Sequence, residues 1–266
     1  MNIIKRELRL GLKSFIFWTI GIFILIVIGL IKFTGVAGSG VSMTVIIDQI
    51  PRVVQALIGI VGINIETIGG YYAVLFYFVS LCASIYGITL ASNAVNRETI
   101  DKTYEFIFTK PRSRSYILTM KLLSGFIYLT LFMVLNIIFS IIGIQMLDVG
   151  KSMINEILLF SVTTYLVSLT FYSITALLST LTKQADKGAL YANILFMITF
   201  IIGIIVDMLE KPGFLRMLAP LKYFLPSEIL NGSYSVIYVV LCIVIIIVSL
   251  VGTYNLFNKK DMSAVN

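Results

Sequence analysis

Residues 92–121 read SNAVNRETIDKTYEFIFTKPRSRSYILTMK and carry nine of the chain's 33 charged residues. Long apolar stretches flank this segment on both sides, at 71–91 and 122–146. Each stretch is long enough to cross a hydrocarbon core about 30 Å thick as a helix that rises about 1.5 Å per residue. The segment therefore connects two predicted membrane spans through water. We call residues 92–115 the polar loop, and we expect a water-soluble partner to bind there.

The composition places the whole chain in the membrane class. Hydrophobic residues make up 59% and charged residues 12% of 266 residues, against about 45–50% and about 25% in soluble domains. Lipid offers no hydrogen-bond partner to the backbone, so every span must be helical. We predict an all-α integral membrane protein with one transmembrane domain, residues 1–266. Its six spans are predicted at 15–31, 71–91, 122–146, 157–178, 189–208 and 236–257.

The distribution of Lys and Arg predicts the orientation. An even number of spans puts both termini on one side, together with the polar loop and the connection between spans four and five. That side holds 14 Lys and Arg residues, against six on the other side, whereas acidic residues divide six to seven. Cytoplasmic segments are enriched in Lys and Arg. We therefore expect both termini and the polar loop to be cytoplasmic.

Three further segments have patterns of their own. Residues 1–14 alternate apolar and basic positions with helical spacing, which predicts an interfacial elbow helix before the first span. Residues 43–61 place Asp48, Arg52 and Gln55 on one helical face, which predicts an amphipathic helix on the outer surface. Residues 209–233 contain three prolines and predict a re-entrant outer segment rather than a span.

Several kinds of chemistry are excluded or disfavoured. The chain has no histidine, which removes the Ser-His-Asp triad and the common zinc sites. The two cysteines, Cys82 and Cys242, fall inside predicted spans, where a small buried hydrophobe is the ordinary role. We predict no metal site and no catalytic residue. The predicted spans also lack interior carboxylates, which disfavours a secondary transporter coupled to protons or sodium.

Polar side chains follow faces of several spans. Small and hydroxylated faces let membrane helices approach closely and exchange hydrogen bonds. The same side chains could instead line a path for substrate, and the sequence leaves both interpretations open. The residues concerned are Tyr77, Ser80, Ser84, Asn136, Ser161, Tyr165, Ser168, Tyr172 and Asn193.

Motifs along the chain resemble those of the permease subunits of ABC-2 type exporters. The resemblance covers nearly the whole chain in order. It rests on Asp48-Gln-Ile-Pro, on Gly69-Gly-Tyr-Tyr at the start of span two, on the segment from Asn96 through Arg114 with Lys121, and on the basic ending Phe257-Asn-Lys-Lys-Asp. Where that family usually has a glycine within the loop, this chain has Lys102.

The resemblance implies that the polar loop contains a coupling helix, which lies in a groove of a separate cytoplasmic ATPase. ATP and magnesium would bind that partner, and this chain would need no cofactor of its own. A second permease copy, identical or related, would complete the transporter in a bacterial cell membrane. The residues assigned to ATPase coupling are Glu98, Asp101, Thr103, Tyr104, Glu105, Phe106, Phe108, Pro111 and Arg114.

The predicted function is the transmembrane part of an ATP-driven exporter for a hydrophobic or amphipathic substrate. Apolar spans without a large external domain favour cargo that enters from the membrane. Family analogy favours a peptide, such as a toxin or an antimicrobial peptide. Two alternatives are a membrane scaffold, whose aromatic and charged loop recruits a cytoplasmic partner without transport, and a secondary transporter.

Overall fold

The structure is a computed structural model that describes residues 3–38, 43–100, 113–147, 153–182, 184, 187–209 and 213–259. Six of its helices are long and apolar enough to cross a membrane, which confirms the predicted number of spans. The α-helices are α1 (Ile3–Gly38), α2 (Met43–Asp48), α3 (Arg52–Ile58), α4 (Ile68–Ile100), α5 (Arg114–Met146), α6 (Ile154–Leu181), α7 (Lys187–Met208), α8 (Pro226–Leu230) and α9 (Val236–Lys259).

Helices α4 and α6 form the centre of the bundle and pack most extensively against each other. In the most apolar 18-residue stretch of each of these helices, 61% of the residues are buried. The corresponding share is 22% in α1 and α9, which lie at the periphery. Gly87 permits the close approach, because a Cβ there would lie 3.0 Å from the carbonyl oxygen of Ser168. Small residues allow such contacts between membrane helices, and the two helices are in close contact at this point.

The predicted elbow helix over residues 1–14 is not a separate element. Helix α1 runs without a break from Ile3 to Gly38. Its first turns are tied to the bundle, since the hydroxyl of Tyr128 on α5 donates to the carbonyl of Leu8 and Glu7 is buried. No proline interrupts the segment. The exposed side of these turns carries both basic and apolar residues, among them Arg9 and Leu12, whereas Glu7 and Gly11 are buried against the bundle.

The predicted amphipathic helix over residues 43–61 is two short helices, α2 and α3, joined at Pro51. Proline lacks an N–H donor and restricts the residue before it, so a continuous helix cannot pass through this position. The side-chain amide of Gln55 donates to the carbonyls of Ile47 and Ile50, at 2.9 Å each. Gln55 thus satisfies backbone acceptors that the break leaves open, rather than facing outward with Asp48 and Arg52.

The segment between α7 and α9 folds as short turns. It contains two 3₁₀ helices, Gly213–Leu218 and Pro220–Lys222, followed by α8. These elements pack against α4, α6 and α7. No span-length helix forms between residues 213 and 233, in agreement with the prolines there. Entry of this segment into the outer leaflet stays a prediction.

The polar loop begins as a continuation of a span, because α4 extends to Ile100. At its other end, the hydroxyl of Ser113 accepts a hydrogen bond from the backbone N–H of Tyr116, 3.3 Å away, and caps α5. A serine in this position stabilises a helix start by about 1 kcal/mol. Residues 101–112, with most of the predicted coupling helix, lie outside the described residues.

Candidate functional site

A cluster of charged side chains lies where the polar loop joins its two helices. Glu98 on α4 receives a hydrogen bond from the ammonium group of Lys121 on α5, and its second carboxylate oxygen lies 3.7 Å from the guanidinium of Arg6 on α1. The side chains of Glu98 and Lys121 are 6% and 4% exposed. The pair joins the last turns of α4 to the first turns of α5. The two ends of the polar loop are therefore fastened to each other.

Glu7 brings α1 into the same cluster. Its carboxylate accepts a hydrogen bond from Arg97 at 3.4 Å and lies 3.7 Å from Arg6. The Glu7 side chain is only 3% exposed. We call Arg6, Glu7, Arg97, Glu98 and Lys121 the charge cluster. It contains three cations and two carboxylates, so each carboxylate has cationic neighbours.

The last turns of α4 contact a third neighbour. Gly188 at the start of α7 lies so close that a Cβ there would be 2.6 Å from the Cα of Ser179 and 2.9 Å from Nδ2 of Asn96. Consecutive helical residues point about 100° apart, given about 3.6 residues per turn. Asn96, Arg97 and Glu98 consequently meet α7, α1 and α5 in turn. A displacement of the polar loop would act on three helices at once.

Buried ion pairs contribute little net stability, because desolvation offsets their attraction, yet removing one partner costs about 3–5 kcal/mol. Five charged groups gathered beside a loop therefore suggest a role beyond folding. The ion pairs join α1, α4 and α5 beside the polar loop.

The predicted coupling residues divide into three groups. Glu98 is buried in the charge cluster, so a soluble partner cannot contact it directly in this arrangement. Arg114 is exposed at the start of α5. The remaining predicted coupling residues lie outside the described residues: Asp101, Thr103, Tyr104, Glu105, Phe106, Phe108 and Pro111.

The sequence prediction missed Arg6, Glu7 and Arg97 as members of the charge cluster around Glu98. One signal was available, since Glu7 is the only acidic residue among the first 14, which otherwise hold four Lys and Arg residues. A lone carboxylate on the packed face of a basic helix indicates a buried cationic partner. The sequence alone does not show that Arg97 is this partner, because Arg97 lies 90 positions from Glu7.

A second polar site lies at the opposite end of the bundle. The ammonium group of Lys222 donates to Asp207 at the end of α7, at 2.5 Å, and lies 4.7 Å from the ring centroid of Tyr77 on α4. The Lys222 and Asp207 side chains are buried. Such a contact with an aromatic face partly replaces the lost hydration of the ammonium group. The pair attaches the turns before α8 to α4 and α7.

Arg216 organises those turns. Its guanidinium binds both carboxylate oxygens of Glu228 at 2.6 Å, donates to the carbonyls of Lys222 and Tyr223, and lies 4.5 Å from the ring centroid of Tyr238 on α9. Burial raises the pKa of the Tyr223 hydroxyl, which donates to the carbonyl of Met217 as a neutral group. A planar guanidinium suits several acceptors at once. We call this arrangement the Arg216 clamp.

A narrow cleft lies beneath these turns, between α4 and α6. Tyr77 and Ser80 from α4 line it together with Thr163 and Thr164 from α6 and Lys222. Two of the residues assigned to a substrate path or to packing thus line this cleft, whose other walls are mostly apolar. The hydroxyl of Tyr77 is buried and has no hydrogen-bond partner among the described residues.

The other residues assigned either to a substrate path or to helix packing differ in their surroundings. Tyr172 donates to the carbonyl of Leu122 and Tyr165 pairs with Thr130, both at 2.7 Å, and these bonds connect α6 to α5. Ser168 donates within its own helix. Asn193 is exposed and donates to the carbonyl of Ala189. Buried side chains with no hydrogen-bond partner among the described residues are Ser84, Asn136 and Ser161.

Among the residues that the structure describes, no group of three or more His, Cys, Asp or Glu side chains lies close enough together to hold a metal ion. The polar clusters at the two ends of the bundle are held together by ion pairs and hydrogen bonds. Neither contains an arrangement for nucleophilic or acid–base catalysis.

The chain is similar to a known protein family. Residues 1–262 match a protein family described as "ABC-2 family transporter protein". A comparison with curated proteins gives no match. The family match extends over almost the entire chain.

Proposed function

The chain belongs to the ABC-2 family of transporter membrane proteins, and we propose that it forms the transmembrane part of an exporter driven by an ATPase bound to the polar loop. Permeases of this family have no ATPase domain and generally pair with separate ATPase subunits, where ATP is hydrolysed. The charge cluster carries the proposal. It joins both ends of the polar loop to α1, so that movement imposed on the loop reaches three spanning helices.

The proposal includes a definite topology and assembly. Both termini and the polar loop are cytoplasmic, and the Arg216 clamp is on the outer side of a bacterial plasma membrane. The excess of Lys and Arg on the loop side supports this orientation. Two copies, or one copy and a related permease, pair with two ATPase subunits. Tyr104, Phe106 and Phe108 supply the apolar part of the ATPase contact, with the charged residues of the loop around them.

The first prediction concerns the double variant Tyr104→Ala/Phe106→Ala. Aromatic anchors at the centre of an interface typically contribute about 2 kcal/mol or more each, so ATPase retention should fall at least about tenfold. Pull-down of the tagged chain from its native membrane in mild detergent measures retention, and proteoliposomes measure cargo moved per ATP hydrolysed. Membrane insertion should be unchanged.

The matched control is Phe214→Ala/Tyr234→Ala, which removes two exposed aromatic side chains at the opposite end of the bundle. It should retain the ATPase as the wild type does. Equal ATPase retention and transport in the Tyr104/Phe106 variant would contradict the proposed contact. Recovery of the wild-type chain with a partner other than an ATPase would favour the membrane scaffold instead.

For the cargo, we propose an amphipathic peptide, such as a toxin or an antimicrobial peptide. The strongly apolar exterior of the spans and the cleft of hydroxyl and aromatic side chains near the outer end support cargo that has both apolar and polar faces. The second prediction is that amphipathic helical peptides stimulate ATP hydrolysis by the reconstituted complex with saturation. Sugars and nucleotides should give no stimulation. The opposite ranking would contradict a peptide substrate.

A further inference from the structure

The cytoplasmic end of α1 has two different faces. Lys5, Arg9 and Lys13 are exposed, whereas Glu7 and Gly11, between them in sequence, are buried against the bundle. The three cations are spaced four residues apart and therefore share one side of the helix. None of the three has an acidic partner among the described residues. The three cations thus form one basic side of the helix.

The same side of α1 continues into the membrane as an apolar surface. Leu12, Ile16 and Phe17 are exposed, and Phe17 is 73% exposed. Helix α1 is peripheral, since only 22% of the residues in its most apolar stretch are buried. Acyl chains can therefore reach this face directly below the cations.

The basic residues of α1 lie at the depth in the membrane where lipid phosphate groups are found. Residues 14–31 of α1 contain no charged residue. From Lys13 to Lys32, a rise of about 1.5 Å per residue gives about 28 Å, close to the hydrocarbon thickness of about 30 Å. Lys13 consequently lies near the boundary of the hydrocarbon, and Arg9 lies one turn further into the headgroup region. Long basic side chains at such positions extend toward the headgroups.

From this juxtaposition we infer that Lys5, Arg9 and Lys13 bind the phosphate of an anionic phospholipid in the cytoplasmic leaflet, with its acyl chains against Leu12, Ile16 and Phe17. The inference rests on the proposed orientation but not on the identity of the partner ATPase. Glu7 lies on the opposite face of the same turns, so a bound lipid holds α1 in the position that completes the charge cluster. Anionic lipid thereby becomes a structural component of the coupling machinery.

The test compares lipid nanodiscs of phosphatidylcholine alone with nanodiscs that also contain phosphatidylglycerol. Native mass spectrometry measures which lipid the released wild-type chain retains, and we expect phosphatidylglycerol. The variant Lys5→Gln/Arg9→Gln/Lys13→Gln should lose this preference about a hundredfold, at about 1 kcal/mol per cation and about 1.4 kcal/mol per tenfold change. Arg9→Lys, which keeps the charge, should retain the preference.

Two controls separate the site from general electrostatics. Lys32→Gln/Arg52→Gln removes exposed cations at the other end of the bundle and should leave the preference intact. Inorganic phosphate should not displace the lipid, because it lacks acyl chains. Unfolding temperatures in phosphatidylcholine should match between the wild type and the triple variant, since the replaced side chains are exposed.

Three results would overturn the inference. Equal phosphatidylglycerol retention by the wild type and the triple variant is the first. Equal loss of retention in the Lys32/Arg52 control is the second. The third is displacement of the bound lipid by inorganic phosphate, which would mean that the acyl chains do not contribute to binding. Failure of the ATPase to bind the wild type would count against the proposed function alone.

Discussion

Glu98→Ala is expected to destabilise the protein by about 3–5 kcal/mol, because it leaves the ammonium group of Lys121 buried without its carboxylate. Lys121 is 4% exposed on its side chain and cannot regain water without moving α5. Arg6 also loses one of its two carboxylate neighbours. The measurement is the unfolding temperature of the purified chain in one detergent, together with transport in proteoliposomes. Both should decrease strongly.

A paired substitution distinguishes a structural from a functional role of this ion pair. Glu98→Leu/Lys121→Met removes one charge of each sign, so the net charge of the charge cluster is unchanged. Replacing a buried pair with apolar side chains is often neutral or stabilising by about 1–4 kcal/mol. We therefore expect the double variant to recover the unfolding temperature but not transport.

Glu156→Ala serves as the control, since Glu156 is half-buried at the start of α6 and forms no ion pair within the described chain. Glu156→Ala should change the unfolding temperature and transport only slightly. If the Glu98/Lys121 double variant transports normally, the pair is structural and the loop acts through other contacts. If Glu98→Ala unfolds at the wild-type temperature, the buried pair itself is in doubt.

Arg216→Ala is expected to open the turns before α8 selectively. The substitution removes both hydrogen bonds to Glu228, two to backbone carbonyls and the contact with the Tyr238 ring. The side chains of Arg216 and Glu228 are 12% and 29% exposed, so the loss of several hydrogen bonds to a charged group should lower the local free energy of opening by about 3 kcal/mol. Amide hydrogen exchange across residues 213–233 should then be about a hundredfold faster.

Arg216→Lys tests the reason for this effect. A lysine keeps the positive charge but lacks the planar fork that reaches carboxylate and carbonyl acceptors together. Exchange in this variant should resemble Arg216→Ala rather than the wild type, while α4 and α6 exchange at wild-type rates in both. Wild-type exchange in Arg216→Lys would mean that charge alone organises the segment. Faster exchange throughout α4 and α6 would mean that the Arg216 clamp supports the entire bundle.

The predicted coupling and transport residues show how far local reasoning extends. Glu98 and Lys121 were recognisable as unusual charges beside spans, but they were assigned to a partner surface or a motif rather than to each other. Ion pairing depends on which side chains the packed helices bring together, and 23 residues separate these two. The same limit applies to Lys222 and Asp207, which lie 15 positions apart in the sequence.

The sequence by itself determined the number of spanning helices and their membrane character. Hydrocarbon thickness sets the length of a span and lipid forces it to be helical, so these features follow from local composition. Only the tertiary structure decided that α1 is continuous, that Gln55 bridges the break at Pro51, and that Glu7 and Glu98 share buried cations. Those features depend on contacts between helices distant in sequence, where packing determines which polar groups lose water and which partners they gain.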